Sequence, residues 1–196
     1  IDPLALVARL AGAHDARPRA VGRIGGRVAR LCHAFGMDVL VHDPHVPMNT
    51  VKGAGFRHAK TLEEGLAQAD WVTLHCPSNP QTRGMVDAPF LAAMKPGAHL
   101  VNTARGTLVQ EDALAAALRS GHLAGAGLDV FEREPVEAPN PLFGIPNVLM
   151  TPHSAAGTVQ GMRRMGLSAV GSIIAHFTGQ VDVDNVVNPE VLRRNA

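Results

Sequence analysis

The sequence lacks the features of a membrane, secreted or nucleic-acid-binding protein. No apolar run approaches the ~20 residues that a bilayer-spanning helix needs, and the first residues show neither the basic nor the apolar segment of a secretory signal. The formal net charge is only +1 and the basic residues are scattered, so the chain has no electrostatic footprint for nucleic acid or an anionic membrane. We therefore expect a globular cytoplasmic protein with neither of these partners.

Cysteine is scarce, and the histidines do not form a metal-binding pattern. Cys32 and Cys76 are the two cysteines of the chain, and both lie in apolar segments, which predicts reduced, buried thiols and not a disulfide framework. The chain has ten histidines, but His42 and His45 flank Pro44 and match no zinc-ligand spacing. We predict no metal site.

Apolar strands alternate with amphipathic helices along the chain. Its 196 residues, 46% of them hydrophobic, suffice for one large domain or two small ones. The predicted strands are 37–42, 71–77, 100–102, 123–130 and 148–150, and the predicted helices are about 28–35, 61–68, 85–94, 111–120 and 158–177. This alternation predicts an α/β fold with a Rossmann-like, doubly wound parallel sheet.

The N-terminal segment, residues 1–19, is the least regular part of the sequence. Its apolar residues are spaced as in one short amphipathic helix that ends near Gly12. These residues are Leu4, Leu6, Val7 and Leu10. The strand expected directly before the next glycine turn would be residues 16–19, which contain Pro18 and two arginines. Because central parallel strands are near-continuous apolar runs without proline, we predict that the first strand is degraded.

A glycine turn opens the first long helix. Gly22 would let the backbone approach a pyrophosphate, Gly25 would let helix and strand pack closely, and the helix N-terminus would face the phosphates. Asp43 lies 18 positions after Gly25, near the ~20-residue spacing of the carboxylate that accepts ribose hydroxyls, and its charge favours NAD over NADP. Ala20 stands where the first glycine is expected. A glycine-rich turn without a ligand is therefore the alternative.

One arginine follows the predicted strand 100–102. In an open parallel sheet, ligands bind in the crevice beyond the carboxyl ends of the strands, so Arg105 is expected to point into that crevice. A guanidinium group there can bind a carboxylate through two parallel hydrogen bonds. The alternative is an ordinary surface ion pair.

Three further polar residues lie at or after the ends of the next two predicted strands. Asp129 lies at the carboxyl end of the strand predicted at 123–130, the nearby Glu134 follows that strand, and His153 follows the strand predicted at 148–150. Oxidation of a 2-hydroxy acid needs a base that titrates near neutrality, which His153 supplies. Glu134 can orient the imidazole and stabilise its protonated form. Taken singly, His153 could be a hydrogen-bonded turn residue and Glu134 a residue of the loop surface.

Together these residues make the chain resemble the NAD-binding domain of the D-isomer-specific 2-hydroxyacid dehydrogenases. The resemblance spans about residues 21–190. Its motifs are Gly22-Arg23-Ile24-Gly25, His42-Asp43-Pro44, His75-Cys76-Pro77, Asn102-Thr103-Ala104-Arg105-Gly106, Leu128-Asp129-Val130-Phe131, Glu134-Pro135 and Thr151-Pro152-His153.

The resemblance implies NAD as cofactor and a small D-2-hydroxy acid or 2-keto acid as substrate. It implies Arg105 as the clamp for the substrate carboxylate, Glu134 as the partner of the general acid/base His153, and Asp129 near the nicotinamide amide. The residues that would contact NAD are Gly22, Arg23, Ile24, Gly25, Asp43, Cys76, Pro77, Thr103, Ala104, Arg105, Asp129, His153, Ser154, Ala155 and Ala156. Typical members have paired glycines where Ala155 and Ala156 stand.

The resemblance also implies a domain plan and a partner. Residues 1–19 would be an irregular or helical segment, 20–185 the NAD-binding Rossmann domain, and 186–196 the remnant of a substrate domain that is otherwise largely absent. The function would be NAD-dependent hydride transfer. The alternatives are a non-catalytic NAD-binding module and an inactive truncated remnant of such an enzyme. A homodimer through the NAD-binding domain is expected, with apolar residues of the last helix either at its interface or against the helix's own sheet. These residues are Met162, Met165, Val170, Ile173 and Ile174.

Overall fold

The computed structural model describes residues 4–8, 22, 24–186, 188 and 192. The chain divides into two compact units, Ile1–His153 and Ser154–Ala196. The strands of the first unit are β1 (Leu4–Ala8), β2 (Asp38–His42), β3 (Arg57–His58), β4 (Trp71–Leu74), β5 (His99–Asn102), β6 (Gly125–Leu128) and β7 (Val148–Met150). Its helices are α1 (Gly25–Ala34), α2 (Met48–Gly53), α3 (Leu62–Gln68), α4 (Ala88–Ala93) and α5 (Glu111–Arg119).

The described strands form one parallel sheet in the order β3-β2-β1-β4-β5-β6-β7. The order reverses beside β1, because the chain first adds strands on one side of β1 and then on the other. This is the doubly wound arrangement, in which ligands bind at the point of reversal. The predicted Rossmann-like fold is confirmed.

The prediction for residues 4–8 was wrong, because they form the central strand β1 and not a helix. Leu6 of β1 is in register with Leu40 of β2 on one side and with Val72 of β4 on the other. A short apolar run such as Leu4–Ala8 is compatible with a helix or a buried strand by spacing alone, and pairing with two neighbouring strands decides between them. The strand expected at residues 16–19 lies outside the described residues.

Two hydrophobic clusters cover opposite faces of the sheet. Successive side chains of a strand point to opposite faces, and in β2 Leu40 belongs to the larger cluster while Val39 and Val41 belong to the smaller. The larger cluster packs α3, α4 and α5 on β4, β5 and β6, with Leu66, Leu74, Leu91, Leu100 and Leu114 among its buried residues. This packing fixes the strands whose carboxyl ends carry the polar residues.

The helix starts follow the capping signals of the sequence. Thr61 accepts a hydrogen bond from the Glu64 N–H at 3.1 Å, and Asp87 accepts one from the Phe90 N–H at 2.9 Å. The short elements α2 and β3 were not predicted. They are six and two residues long, too short for a periodic signal.

The second unit contains one long helix, α6 (Val159–Phe177), within the range predicted from the sequence, and the Thr158 hydroxyl caps it by accepting from the Gly161 N–H at 2.9 Å. None of the unit's described residues is buried, and the apolar side chains of α6 are largely exposed, with Met162 at 59% and Ile173 at 58%. In the part of the chain that the structure describes, no helix has the length and apolar character to cross a membrane.

Candidate active site

The segments that carry the predicted catalytic residues begin at one edge of the sheet. β5, β6 and β7 are neighbouring parallel strands that end at Asn102, Leu128 and Met150, so the segments that follow them begin side by side. Arg105, Asp129 and His153 lie within three residues of these strand ends. The fold therefore brings them to the same edge.

His153 and Glu134 form a direct pair. The His153 Nδ1 atom lies 2.7 Å from Glu134 Oε2, and the two side chains are 52% and 34% exposed. Because Nδ1 is engaged with the carboxylate, Nε2 is the nitrogen left for proton transfer to a substrate. The pair has the geometry of a general acid/base oriented by an acid.

The environment of Glu134 keeps its carboxylate ionised. The hydrogen bond from His153, and secondly the one that Phe131 N–H donates to Oε1 at 2.9 Å, hold the pKa of this carboxyl below its usual range. Both oxygens are thus occupied by donors. A fixed anion beside the imidazole stabilises the imidazolium that forms when His153 accepts a proton.

The backbone of His153 adopts an unusual conformation. Its φ is +52°, and it is the only non-glycine with positive φ among the described residues. Histidine visits this left-handed region more readily than bulky or β-branched residues. Its N–H donates to Thr151 O at 3.0 Å, so the turn around Pro152 is closed. Backbone strain of this kind persists where the surroundings fix it, and it clusters at functional sites.

Asn102 shapes the turn that carries Arg105. This fully buried side chain accepts a hydrogen bond from the Ala104 N–H at 3.0 Å and donates to the Arg105 carbonyl at 2.9 Å. The Arg105 side chain is exposed, and its Nη1 donates to the Ala104 carbonyl at 2.6 Å. None of the ion pairs between described residues involves Arg105. Its guanidinium group therefore retains donors for a carboxylate.

Gly106 brings the arginine turn against the Glu134 segment. A Cβ atom at this position would lie 1.8 Å from the carbonyl carbon and oxygen of Phe131, so only glycine fits there. Phe131 is also the residue whose N–H bonds Glu134. The clamp candidate and the acid–base pair are consequently carried by backbones in direct contact.

Asp129 links the ends of the three strands. Its backbone N–H donates to the Asn102 carbonyl at 3.0 Å, and its Oδ1 accepts from the Thr151 hydroxyl at 2.5 Å. The side chain is 4% exposed. Asp129 therefore fixes the spacing between the segments that carry Arg105 and His153.

A cavity of about 370 Å³ opens beside the acid–base pair. Its lining is formed by Phe131, Glu134, Pro135, Val136, Met150, Thr151, Pro152 and His153. This volume lies in the range of small-molecule sites. Among the described residues, no group of three or more histidine, cysteine, aspartate or glutamate side chains could hold a metal ion.

The predicted cofactor residues of the first unit lie along the same edge. Gly22 has φ +68°, and α1 begins three residues later without a side-chain cap. The Gly26 N–H already donates to the Gly22 carbonyl at 3.3 Å, so it is the positive end of the helix dipole that would attract an anion here. Asp43 follows the end of β2, is 1% exposed, and accepts the His45 N–H at 3.0 Å. Ile24 is exposed at the start of α1. Arg23 lies outside the described residues.

The remaining predicted cofactor residues fall into three groups. Cys76 and Pro77 follow β4, where Cys76 is buried and the Pro77 carbonyl accepts from Thr82 at 2.7 Å. Thr103 and Ala104 form the turn after β5. Residues 154–156, which are Ser154, Ala155 and Ala156, open the second unit.

His75 was not predicted as a site residue, although its position is distinctive. It follows β4 directly, beside the point where the strand order reverses, and its Nε2 lies 3.1 Å from the Thr73 hydroxyl. Burial lowers the pKa of His75 to about 4, so this imidazole is neutral at physiological pH. The positioning residues Asn102 and Gly106 were also missed as site residues. The sequence feature that could have identified Asn102 and Gly106 is their position in the same turn as Arg105.

Comparison with known families identifies the family to which this chain belongs. The model of the D-isomer specific 2-hydroxyacid dehydrogenase family, NAD binding domain, matches residues 19–155. The chain belongs to this family. Members use NAD, and the segment matched here is the domain that binds it.

Curated relatives and solved structures are similar to this chain over most of its length. D-3-phosphoglycerate dehydrogenase of Mycobacterium leprae is 42% identical over 177 residues, which are 87% of this chain and 33% of that protein. The structure of the TT0316 protein from Thermus thermophilus superposes with a TM-score of 0.77 at 40% identity, covering 92% of this chain and 52% of that one. D-Lactate dehydrogenase from Aquifex aeolicus, solved with NAD and lactic acid, gives a TM-score of 0.74 at 32% identity, covering 90% and 54%. The chain thus spans about a third to a half of these relatives.

Proposed function

We propose that this chain supplies the NAD-binding and acid–base half of an oxidoreductase that transfers hydride between the nicotinamide and a small D-2-hydroxy or 2-keto acid. The observation that carries the proposal is the 2.7 Å pair of His153 and Glu134, joined to the Arg105 turn by the contact of Gly106 with Phe131. These parts meet the chemical needs of the reaction. They provide an imidazole base, an anion to stabilise its charged form, and a guanidinium that forms no ion pair with the described residues.

In the oxidation direction, Arg105 binds the substrate carboxylate through two parallel hydrogen bonds. The hydroxyl of the substrate then faces His153 Nε2, which takes its proton as the C–H bond releases hydride. The Glu134 carboxylate stabilises the imidazolium formed at this moment. In reduction, the same imidazolium returns the proton to the carbonyl oxygen. Bound NAD supplies the hydride acceptor or donor.

The residues of the cofactor side fit a dinucleotide. The amino end of α1, which has no side-chain cap, would face a pyrophosphate, and the Asp43 carboxylate would accept ribose hydroxyls. The other residues that we propose to contact NAD are Arg23, Ile24, Cys76, Pro77, Thr103, Ala104, Asp129 and the 154–156 segment. Of these, Asp129 would lie near the nicotinamide amide.

A hybrid enzyme tests the catalytic assignment. Residues 19–188 would replace the matching segment of the mycobacterial relative, so that a substrate domain is present. His153→Ala should lower kcat by ~10²–10⁴, whereas Arg105→Ala should raise KM and lower kcat/KM by about 10- to 150-fold through loss of a charge-assisted contact. His176→Ala, at an exposed position of α6, is the control. Unchanged kinetics in His153→Ala would remove the assignment.

We further propose that the domain of residues 20–185 forms homodimers in the cytoplasm. The apolar and exposed side chains of α6 support an interface, because large exposed apolar patches mark interaction sites. Cys32 and Cys76 are both free thiols, which is the usual state in a reducing compartment. Residues 186–196 would belong to a substrate domain. Sedimentation that shows a monomer at all concentrations would contradict the dimer.

A further inference from the structure

One carboxylate outside the candidate site holds both ends of the segment that carries Glu134. Glu111 begins α5, and its Oε1 accepts a hydrogen bond from the Glu132 N–H at 2.8 Å. Its Oε2 accepts a second one from Asn140 Nδ2, also at 2.8 Å. Each carboxylate oxygen therefore bonds a different part of residues 131–142, which we call the glutamate loop.

The glutamate loop is anchored in the core at its two ends, where Phe131 and Leu142 are buried in the larger cluster. Between these ends it contains no helix or strand, and Glu132, Arg133 and Pro135 are exposed. Its other bonds to α5 come from Arg119, whose Nη2 donates to the Pro141 carbonyl at 2.6 Å. An irregular loop of this length samples many conformations unless bonds to a rigid element restrict it. Bonds to an ionised acceptor are among the strongest available.

Glu111 bonds the glutamate loop at a point close to the acid–base pair. Its bond to the Glu132 N–H acts two residues before Glu134, whose Oε2 lies 2.7 Å from His153 Nδ1. The segment from Gly106 to Glu111 touches the glutamate loop twice, once through the packing of Gly106 on Phe131 and once through Glu111 itself. The loop is thereby held relative to the turn of Arg105.

We infer that Glu111 is a positioning residue, which holds the glutamate loop so that Glu134 stays within bonding distance of His153. Glu111 does not touch the reacting atoms and acts through Glu132 and Asn140. The inference rests on the proposed function, in which Glu134 and His153 form the acid–base pair.

A second acidic residue on the same helix provides a control that distinguishes this positioning role from stabilisation of the helix by a negative charge. Glu111 and Asp112 both lie in the first turn of α5, where a negative charge stabilises the helix dipole. Asp112 is exposed, and none of the hydrogen bonds between described residues involves its side chain. Asp112→Ala therefore removes the same charge from the same turn without touching the glutamate loop.

The test is an NMR titration of the Glu134 carboxyl in the chain as it exists, together with amide exchange at Phe131 and Glu132. In Glu111→Ala, the pKa of Glu134 should rise toward the ordinary glutamate range, because its bond to His153 is formed less of the time. Exchange at Glu132 should become about tenfold faster as its acceptor is lost. Asp112→Ala should match the parent protein in both measurements.

Two milder variants keep the inference testable if Glu111→Ala does not fold. Glu111→Gln retains an acceptor for Glu132 but presents a donor to Asn140, so its effects should be intermediate. Asn140→Ala removes one of the two bonds to Glu111, together with the bond that Asn140 Oδ1 accepts from the Leu142 N–H at 2.9 Å, and leaves α5 unchanged. If folded variants of Glu111 and Asn140 leave the Glu134 pKa and the Glu132 exchange unaltered, the positioning role is refuted. Neither readout depends on turnover, so failure of the proposed activity would be recognised separately.

Discussion

The two halves of the sheet edge to which we assign catalytic and cofactor-binding residues are built in different ways, and we call them the catalytic half (residues 99–153) and the cofactor half (residues 4–77). In the catalytic half, each strand end leads within three residues to a side chain of the proposed site. Neighbouring strand ends are bonded to each other, as Asp129 N–H is to the Asn102 carbonyl. In the cofactor half, β1 ends at Ala8 but Gly22 comes 14 positions later. In the usual dinucleotide turn, the glycines follow the strand directly.

This difference shows which part of the fold depends on long-range pairing. β1 precedes the segment matched by the family, which starts at residue 19, yet it occupies the central place between β2 and β4. The catalytic half draws its strands and turns from one continuous matched stretch. We therefore expect the cofactor half to respond to changes in β1, and the catalytic half to respond to changes in its turns.

The largest loss of stability is expected from a substitution that disrupts β1. Leu6→Pro removes a backbone donor in a strand that is paired on both sides, and proline is excluded from such strands. The free energy of unfolding should fall by roughly 3 kcal/mol or more, measured by chemical denaturation. Leu6→Val keeps the N–H and suits a strand, so it is the matched control. Equal stability of Leu6→Pro and Leu6→Val would contradict the central position of residues 4–8.

The second prediction concerns the pH dependence of stability, to which His75 contributes at the boundary between the two halves. Its pKa is lowered by burial from the ordinary 6.5 to about 4, so between these values the unfolded chain binds more protons than the folded one. The free energy of unfolding is therefore not reduced by His75 above pH 6.5. As the pH falls from 6.5 toward 4, protonation of His75 in the unfolded chain lowers the free energy of unfolding by about 3 kcal/mol. Denaturation at several pH values should show a shallower fall in His75→Gln. His45→Gln, at an exposed histidine, should keep the parent slope, and a parent-like slope in His75→Gln would refute the assignment.

A smaller effect is expected from separating the two turns of the catalytic half. In Gly106→Ala the new methyl group would overlap the Phe131 backbone, so both turns must shift, at a cost of about 1–3 kcal/mol. Turnover of the hybrid enzyme should fall as Arg105 and Glu134 move apart. Gly127→Ala is the control, because its Cβ would meet only Val101 Cγ2 at 4.0 Å. Equal stability of the two variants would show that the contact is not tight.

The sequence predicted the catalytic half better than the cofactor half for physical reasons. Polar residues placed directly after apolar strands indicate one sheet edge, so Arg105, Asp129 and His153 could be placed together from local patterns. Leu4–Ala8 carries no such local signal, because its strand state depends on pairing with β2 and β4. Buried polar supports such as Asn102, and the close approach that requires Gly106, become visible only once the turns are in contact.

The smallest predicted effect concerns the choice between two dinucleotides in the cofactor half. The Asp43 carboxylate at the end of β2 should repel the 2′-phosphate of NADPH, so NADH should bind the chain more tightly. Two charges 4 Å apart interact by about 1 kcal/mol even in water, which corresponds to a roughly fivefold preference. Asp43→Asn should reduce the ratio of the two dissociation constants by at least that factor, measured by the gain in nicotinamide fluorescence. Asp112→Asn removes a charge far along the chain and should leave the ratio unchanged. Tighter binding of NADPH than of NADH by the parent chain would show that Asp43 does not face the ribose.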